Sequence, residues 1–227
     1  MKRLVTPELL DSDAGSAQEI EDSLADLRMV NRYFGGARAT REILRAAAAR
    51  RKLSSLHWLD VGGASGDVAL HVERSLAGSG IAAKATILDR AHTHLNGAQP
   101  AVCGDALALP FRDNSFDVVA CSLFVHHLEP DEVVRFAREA LRVARHGFLI
   151  NDLIRHPAHL AMVYAGFPLY RSRLTRHDSV ASVRRAYTME EMKSMLERAG
   201  AAEIESREFF LFRMGVIAWK TQQPSMT

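Results

Sequence analysis

Short apolar runs alternate with stretches of helical periodicity along the middle of the chain. The runs lack regular polar alternation, which is typical of strands that are covered on both faces of a sheet. They occupy positions 56–61, 84–89, 116–121 and 147–151. Apolar residues recur at helical spacing over 67–76 and 130–143, so predicted strands and helices alternate. This order predicts a parallel sheet with right-handed crossover connections.

The segments on either side of this region show other patterns. Over 19–50, apolar positions that include Leu24 and Leu27 predict a helix, a turn and a second helix. The first fifteen residues have turn chemistry and predict a flexible or loosely docked arm. Near the other end, Thr188 begins a predicted helix with a capping box, and two strands follow with a tight connection near Arg213.

Composition and charge exclude several classes of protein. The 227 residues, 48% hydrophobic and 25% charged, suit one compact domain with a short appendage. The net charge of +2, from 29 basic and 27 acidic residues, gives no field that would draw the chain to nucleic acid. No apolar stretch approaches the roughly 20 residues that cross a bilayer. Cys103 and Cys121 lie in apolar runs and no secretory segment follows the N-terminus, so we expect two buried, unpaired thiols in a reducing cytoplasm.

The first predicted strand runs into a glycine-rich turn that opens a helix. Gly62 and Gly66 allow a close approach of the backbone to a ligand, and the helix N-terminus offers free N–H groups. A dinucleotide-binding loop would have glycine at positions 62, 64 and 67, but Ala64 and Asp67 stand at the last two. Asp67 would also repel a pyrophosphate. This loop, with the absence of a Tyr-x-x-x-Lys pair, disfavours a nicotinamide-dependent reductase.

Three acids, expected at the ends of three successive strands, give the loop a specific resemblance. The pattern Asp60-x-Gly62-x-x-x-Gly66 resembles the first motif of class I S-adenosylmethionine-dependent methyltransferases, whose loop wraps the methionine portion of the cofactor. Asp89 lies 23 residues beyond Gly66, where a carboxylate can accept hydrogen bonds from both ribose hydroxyls. Asp105 begins a segment similar to the DA-x-x-LPF-x-D-x-S-FD segment of ubiquinone- and menaquinone-type methyltransferases, whose first acid meets the adenine amino group. Each acid taken singly also suits a helix cap or a turn.

The resemblance, strongest over 56–152, implies S-adenosyl-L-methionine as cofactor and S-adenosyl-L-homocysteine as product. It implies an α/β, Rossmann-like, doubly wound fold: a mostly parallel seven-stranded sheet with an antiparallel last strand and an N-terminal helical flap. We expect the arm and flap over 1–50 and the methyltransferase domain over 51–227, with a lid insertion at about 155–187. The residues expected to bind the cofactor are Asp60, Gly62, Gly63, Ala64, Gly66, Asp89, Arg90, Asp105, Ala106, Ser122 and Tyr33.

Two histidines after the fourth strand are the candidates for catalysis. Methyl transfer is an in-line displacement, so alignment of the reactants supplies most of the catalysis, and a general base helps only where a hydroxyl is methylated. His126 and His127 lie where this family lines the pocket near the methyl group, although both also suit a structural role. A phenol with a pKa near 10 and an imidazole near 6.5 make full proton transfer uphill by roughly 5 kcal/mol. Asp152 is expected to orient a histidine, bind a substrate hydroxyl or cap a helix.

The acceptor is expected to be small and flat. Met and aromatic residues over 159–170 suit either a lid or a core, and they favour an aromatic or polyketide-like acceptor methylated at oxygen. Carbon methylation of a quinol-type ring and a non-catalytic S-adenosylmethionine-binding protein remain open alternatives. A nucleic-acid methyltransferase is disfavoured by the charge and by the lack of an Asn-Pro-Pro-Tyr motif after the fourth strand. We expect no metal, no nucleic acid partner, no membrane span, and a monomer or homodimer.

Overall fold

A computed structural model describes residues 1–10, 14–33, 35–92, 95 and 99–221, apart from the side chains at 31–33. Its helices are α1 (Ala17–Tyr33), α2 (Gly36–Arg51), α3 (Asp67–Ala77), α4 (Pro130–Val143), α5 (Pro157–Gly166), α6 (Arg173–Arg185) and α7 (Met189–Ala199). Its strands are β1 (Ser55–Val61), β2 (Ala82–Asp89), β3 (Ala101–Cys103), β4 (Phe116–Ser122), β5 (Ala144–Leu153), β6 (Glu203–Phe209) and β7 (Arg213–Trp219).

The strands form a seven-stranded sheet in the order β3-β2-β1-β4-β5-β7-β6. Strands β1 to β5 are parallel to one another, and β7 runs antiparallel to both β5 and β6. This arrangement confirms the predicted doubly wound α/β fold with an antiparallel last strand. The chain moves outward from β1 to β3 and then returns to the other side of β1 with β4. Ligands bind at such a reversal, at the carboxyl ends of the strands.

Helices cover both faces of the sheet. On one face, α4 and α7 pack against the sheet through a cluster that includes Phe136, Phe148 and Met192. On the other face, α2 and α3 pack through a second cluster that includes Trp58 and Trp219, both of which are almost fully buried. Because both faces are covered, the central strands β4, β5 and β7 are buried over most of their length without alternation.

The predicted helix boundaries are confirmed where capping residues mark them. Thr188 caps α7, with its hydroxyl accepting from the Glu191 N–H and the Glu191 carboxylate accepting from the Thr188 N–H. Gly200 ends the same helix in the left-handed conformation, with φ of 93°. Helix α4 has the predicted limits and passes into β5 at Ala144 without an intervening turn. Local signals of this kind act over a few residues, so they can be recognised in the sequence.

The two predicted C-terminal strands are confirmed, whereas one prediction for the cysteines is wrong. The tight connection predicted near Arg213 lies at 210–212, contains Leu211 and Phe212 at positive φ, and makes Arg213 the first residue of β7. The Arg213 side chain is buried despite its charge. Cys121 is buried as expected, but Cys103 is exposed because it belongs to a short edge strand, and both thiols are free.

The expectation of a loosely docked arm is wrong for residues 1–10. The Leu9 and Leu10 N–H groups donate to the Asp178 carboxylate of α6 at 2.8 and 3.0 Å. The Arg3 guanidinium donates to the backbone carbonyls of Leu128 and Arg185. The arm therefore lies against α6 and the segment after β4.

Helix α1 also packs through a face that its apolar positions do not predict. Leu24 and Leu27 are exposed, whereas Ser23 and Asp26 are buried. The Asp26 carboxylate accepts from the backbone N–H groups of residues 171 and 172, at the start of α6, at 2.9 and 3.1 Å. A buried carboxylate at a helix N-terminus is favourable because it accepts from N–H groups that have no other partner within the helix. Its negative charge is also attracted to the positive end of the helix dipole.

Candidate active site

The loop after β1 has a backbone conformation that depends on glycine at two positions. Gly62 has φ of 72°, and a Cβ there would lie 2.6 Å from a ring carbon of Phe124. Gly66 has φ of 74°, caps α3, and would bring a Cβ to 2.8 Å from the Gln99 side-chain oxygen. Ala64 also has a positive φ, of 46°. The loop is therefore a cradle in which bare backbone faces the carboxyl ends of the strands.

Asp89, the last residue of β2, holds this loop against its neighbour. Its Oδ2 accepts from the Ala64 N–H at 3.1 Å and its Oδ1 from the Ala91 N–H at 2.9 Å. The Gly104 N–H donates to the Asp89 backbone carbonyl at 3.0 Å, which ties the segment after β3 to the same edge. A carboxylate accepts up to about four hydrogen bonds in all, which allows one side chain to serve several donors.

Asp60 is a buried carboxylate beside the same loop. It is 5% exposed, and among the described residues no N–H or O–H group donates to it. Burial, with the nearby negative charge of Asp89, raises its pKa to about 7. A Cβ on Gly63 would lie 2.9 Å from its Oδ2, so the carboxylate faces the loop. A cationic ligand would remove the electrostatic cost of this acid, and S-adenosylmethionine carries a sulfonium and an ammonium group. The residues present therefore fit this cofactor.

The other predicted cofactor residues near β2 and β3 take different positions. Asp105 is exposed, and its Oδ1 accepts from the Leu107 N–H at 2.9 Å, which is a turn contact. Ala106 is buried in the core. Arg90 is exposed and follows Asp89 directly. Contacts of these residues with adenine or ribose stay a prediction, as does that of Tyr33, whose side chain lies outside the described residues.

Ser122 ends β4 and is tied to β5 and α2 through Asn151. The Asn151 side-chain nitrogen lies 3.0 Å from the Ser122 hydroxyl, 2.8 Å from the Thr40 hydroxyl and 2.9 Å from the Gly36 carbonyl, and these three oxygens share its two N–H protons. The next residue, Leu123, has φ of 54°. This uncommon conformation turns the chain sharply as it leaves the strand. It directs the following histidines back toward the strand ends.

His126 and Asp152 form a buried pair behind this turn. The His126 Nδ1 lies 2.6 Å from the Asp152 Oδ1, and both side chains are almost fully buried. Burial disfavours the charged imidazole, but the attraction of Asp152 and hydrogen bonds to Asp152 and Glu8 outweigh it and raise the pKa of His126 to about 9. For Asp152, burial is likewise outweighed by the attraction of His126, so its pKa is lowered. Of the three roles considered for Asp152, orienting a histidine is the one observed.

Glu8 reaches the same histidines from the docked arm. Its Oε1 lies 3.6 Å from the His126 Nε2, and its Oε2 lies 3.9 Å from the His127 Nε2. The Ser182 hydroxyl of α6 donates to Oε1 at 2.7 Å. Burial opposes ionisation of Glu8, but the hydrogen bond from His126 and the two imidazole charges lower its pKa. Since His127 is 25% exposed and His126 only 3%, His127 is the more accessible of the pair.

Two residues of this site were missed by the sequence reasoning. Glu8 lies in a segment with turn chemistry, and nothing in its neighbourhood indicates a role. Arg213 is fully buried near Asp152, and burial lowers the pKa of its guanidinium to about 10 against the attraction of that carboxylate. Its signal was available: an arginine next to the apolar run 214–219 is costly unless it is paired or functional.

Comparison with known proteins finds similarity over part of the sequence and over the fold. A family profile described as a methyltransferase domain matches residues 59–150. A search of curated proteins finds no match. Among the described residues, no helix is long and apolar enough to cross a membrane.

Solved structures of methyltransferases have the same fold. The plantazolicin methyltransferase BpumL in complex with SAH is 13% identical with a TM-score of 0.65, over 91% of this chain and 92% of that one. Human N-acetylserotonin methyltransferase with SAM is 15% identical with a TM-score of 0.62, over 90% of this chain and 57% of that one. A SAM-dependent methyltransferase from Methanosarcina mazei is 18% identical with a TM-score of 0.52, over 75% and 94%. These matches show that the chain has the fold of these methyltransferases, and the methyltransferase-domain profile covers residues 59–150 of its 227.

Proposed function

We propose that the chain methylates an oxygen atom of a small, flat, largely apolar acceptor, and that His126 and His127 act on the proton of that oxygen. The observation that carries the proposal is the buried pair of His126 and Asp152, 2.6 Å apart, directly after β4. A buried ion pair of this kind is costly to assemble. Methylation of carbon in an activated ring does not require such a group as strictly as methylation of a hydroxyl does.

The cofactor is held, in this proposal, by the loop of residues 62–66, by Asp60 and by Asp89. When bound, S-adenosylmethionine supplies an electrophilic methyl group, and transfer forms an O–C bond while the electron pair of the broken C–S bond stays on sulfur. The loop backbone and Asp60 hold the methionine end, and Asp89 accepts from the ribose hydroxyls. Asp105 and Ala106 are proposed to border the adenine ring.

The N-terminal segment 1–50 and the insertion at about 155–187 are proposed to close over the acceptor together. The arm and α1 are joined to α6 by two buried or nearly buried carboxylates: Asp26 accepts two N–H groups at the start of α6, and Asp178 of α6 accepts two N–H groups of the arm. Because these bonds connect segments far apart in sequence, the flap and the lid are expected to move as one unit. Closure would exclude water, which competes with the acceptor for the methyl group.

The nature of the acceptor rests on two kinds of support. The near-zero net charge favours a small molecule over nucleic acid. One structural neighbour is named for N-acetylserotonin, a small aromatic molecule. Carbon methylation of a quinol-type ring remains the second candidate, because the segment 105–119 resembles that of quinone methyltransferases. The proposed assembly is a monomer or homodimer.

One experiment tests cofactor and reaction together. S-adenosylmethionine, S-adenosylhomocysteine and NADH are titrated by calorimetry into the wild type, an Asp89→Ala variant and an Asp131→Ala control, whose side chain is 89% exposed. We expect both sulfur nucleosides to bind and NADH not to bind. Loss of charge-assisted hydrogen bonds worth about 1.5–3 kcal/mol should weaken binding at least tenfold in Asp89→Ala and leave the control unchanged.

The reaction is then tested with ¹³C-methyl-labelled cofactor and a panel of phenols and quinols. The carbon chemical shift of the product separates a methyl ether from a ring methyl group. A methyl ether supports the proposal, and a ring methyl group selects the second candidate. Equal binding of S-adenosylmethionine by Asp89→Ala and the control would contradict the proposed placement of the ribose.

A further inference from the structure

Three potential metal ligands converge at the segment that follows β4. Glu8, His126 and His127 each offer one donor atom, and these atoms lie within 4.8 Å of one another. We propose that these side chains bind a divalent transition-metal ion, best matched by Zn²⁺, with a further coordination position open to the acceptor. The proposed ion departs from the sequence-based expectation of no metal. The role of the ion in catalysis rests on the proposed function, whereas the metal site itself does not.

The donor set is the one that zinc uses in catalytic sites. Three protein ligands with an open fourth position are typical of catalytic zinc, and two histidines with one glutamate form such a set. Imidazole nitrogens favour Zn²⁺ over Mg²⁺ and Ca²⁺, which prefer oxygen ligands. Zinc bonds of about 2.0–2.2 Å place tetrahedral donors about 3.4 Å apart. The three donor atoms lie within 4.8 Å of one another, and the two Glu8 oxygens are 3.6 Å from His126 Nε2 and 3.9 Å from His127 Nε2, respectively, so binding requires side-chain shifts on the order of 1–1.5 Å.

A second layer of hydrogen bonds orients two of the three ligands. Asp152 Oδ1 lies 2.6 Å from His126 Nδ1, so the proton of a neutral imidazole is held on Nδ1 and the lone pair of Nε2 faces Glu8. Asp152 also accepts from the backbone N–H groups at 124, 126 and 153. The Ser182 hydroxyl donates to Glu8. A carboxylate behind a ligating histidine is the usual support of a metal site.

The fold delivers the third ligand from a distant part of the chain. The N–H groups of Leu9 and Leu10 are fixed on the Asp178 carboxylate, so the preceding residue, Glu8, is held over the histidines. His126 is 3% exposed, whereas His127 is 25% exposed. The cluster is therefore more accessible on the side of His127, and the proposal places the open coordination position there.

A cation at this place addresses the mismatch between a phenol and an imidazole base. Zinc lowers the pKa of bound water from 15.7 to about 7, and it acts on a hydroxyl in the same way. An acceptor hydroxyl at the open position would lose its proton to solvent, and its oxygen lone pair would attack the methyl carbon. The histidines then act on the proton of the acceptor as metal ligands rather than as bases.

Metal binding is tested on the full chain without acceptor or cofactor. The protein is stripped with a chelator, dialysed against Zn²⁺, and assayed for bound zinc by elemental analysis, with Mg²⁺ in parallel. Co²⁺ is the spectroscopic probe, because the intensity of its visible bands reports the coordination number. The ligand variants are Glu8→Gln and His127→Asn, and the matched controls are Glu197→Gln and His57→Asn, which are exposed and distant in the chain.

We expect one Zn²⁺ per chain, no competition by Mg²⁺, and intense Co²⁺ bands. Asp152→Asn removes the carboxylate behind His126 and should weaken zinc binding about 10–100-fold. Glu8→Gln and His127→Asn each remove a ligand and should weaken zinc binding more. Glu8→Gln is on the surface-docked arm, so circular dichroism should show it folded. No stoichiometric zinc, or zinc binding that the ligand variants and controls share, would overturn the inference and leave a protonated His126 as the positive charge of the cluster.

Failure of this inference can be distinguished from failure of the proposed function. Methyl ether formation by chelated protein at the full rate contradicts the metal while supporting oxygen methylation. Stoichiometric zinc that depends on Glu8 and His127, together with a ring-methylated product, supports the metal site and contradicts oxygen methylation.

Discussion

Replacing Asp60 by Asn tests the electrostatic argument for the cofactor site. The carboxylate is 5% exposed, and burial with the Asp89 charge raises its pKa from 3.8 to about 7. The folded chain therefore binds a proton at Asp60 more tightly than the unfolded chain does. This acid lowers the free energy of unfolding as the pH rises from about 4 to about 7, and its cost is complete above pH 7. The Asp60→Asn substitution removes the titration while keeping the shape.

The magnitude follows from the shift. A change in pKa from 3.8 to about 7 lowers the free energy of unfolding by about 4 kcal/mol above pH 7. About 2 kcal/mol of this loss of stability is already present at pH 5. The buried amide that Asp60→Asn introduces is not free of cost, but that cost, about 1–3 kcal/mol, does not depend on pH. The prediction concerns the free energy of unfolding of Asp60→Asn minus that of the wild type. This difference should be about 2–3 kcal/mol larger at pH 8 than at pH 5.

The assay is urea unfolding of cofactor-free protein at both pH values. Asp131→Asn is the matched control, because its side chain is 89% exposed and pairs with a surface arginine, Arg198. Other titrating groups cancel when each variant is compared with the wild type at the same pH. If the difference between Asp60→Asn and the wild type is the same at pH 5 and pH 8, the raised pKa of Asp60 is refuted.

The same variant should bind S-adenosylmethionine more weakly. A cationic cofactor relieves the cost of the Asp60 carboxylate, so part of its binding energy comes from this charge. We expect at least a tenfold loss of affinity at pH 8 in Asp60→Asn and none in Asp131→Asn, measured by calorimetry. Wild-type affinity in Asp60→Asn would mean that the buried acid does not serve the cofactor.

Two further predictions concern the frame of the site. Gly62→Ala should lower the free energy of unfolding by about 1–2 kcal/mol because of its positive φ, and further because the new Cβ would lie 2.6 Å from Phe124. It should also bind the cofactor more weakly. The control Gly80→Ala has φ of 79° but open space around the new Cβ, so it should lose only the roughly 1–2 kcal/mol that comes from φ. Thermal unfolding measures the stability of each variant, and calorimetry measures its cofactor affinity. Equal losses of stability in the two variants would show that the Phe124 ring moves aside to accommodate the Cβ. Asp26→Ala should cost about 1–3 kcal/mol because two N–H groups at the start of α6 lose their acceptor. An unchanged melting temperature would mean that water replaces the carboxylate.

The proposed cofactor half of the site could be predicted because its determinants are local. Gly62 and Gly66 follow β1 directly, and Asp89 is the last residue of β2, so parallel strand pairing brings them to one edge. No further information is needed once the strands are recognised. Asp105 illustrates the limit of this reasoning: its role was implied by the resemblance, its carboxylate is exposed and bonded in a turn, and its contact with adenine stays a prediction.

The acceptor half depended on contacts between distant parts of the chain. Glu8 lies far from His126 in sequence, and only the docking of the arm on α6 brings them together. The exposed Leu24 and Leu27 and the buried Asp26 of α1 have the same origin, because the partner of this helix is the polar start of α6. Periodicity within one helix cannot identify the partner that the helix will meet.

The antiparallel last strand was implied by the resemblance rather than by the sequence pattern. By itself, the sequence predicted the strands β1, β2, β4 and β5, the helices α3, α4 and α7, the glycine loop and the acids Asp60 and Asp89. These features follow from side-chain periodicity, backbone preferences of glycine and capping, each of which acts over a few residues. Only the tertiary structure decided that Asp152 orients His126, that Asp60 is buried with no donor among the described residues, and that Glu8 joins the histidines. Those properties depend on burial and on hydrogen bonds between segments far apart in the chain, and burial is a property of the packed molecule.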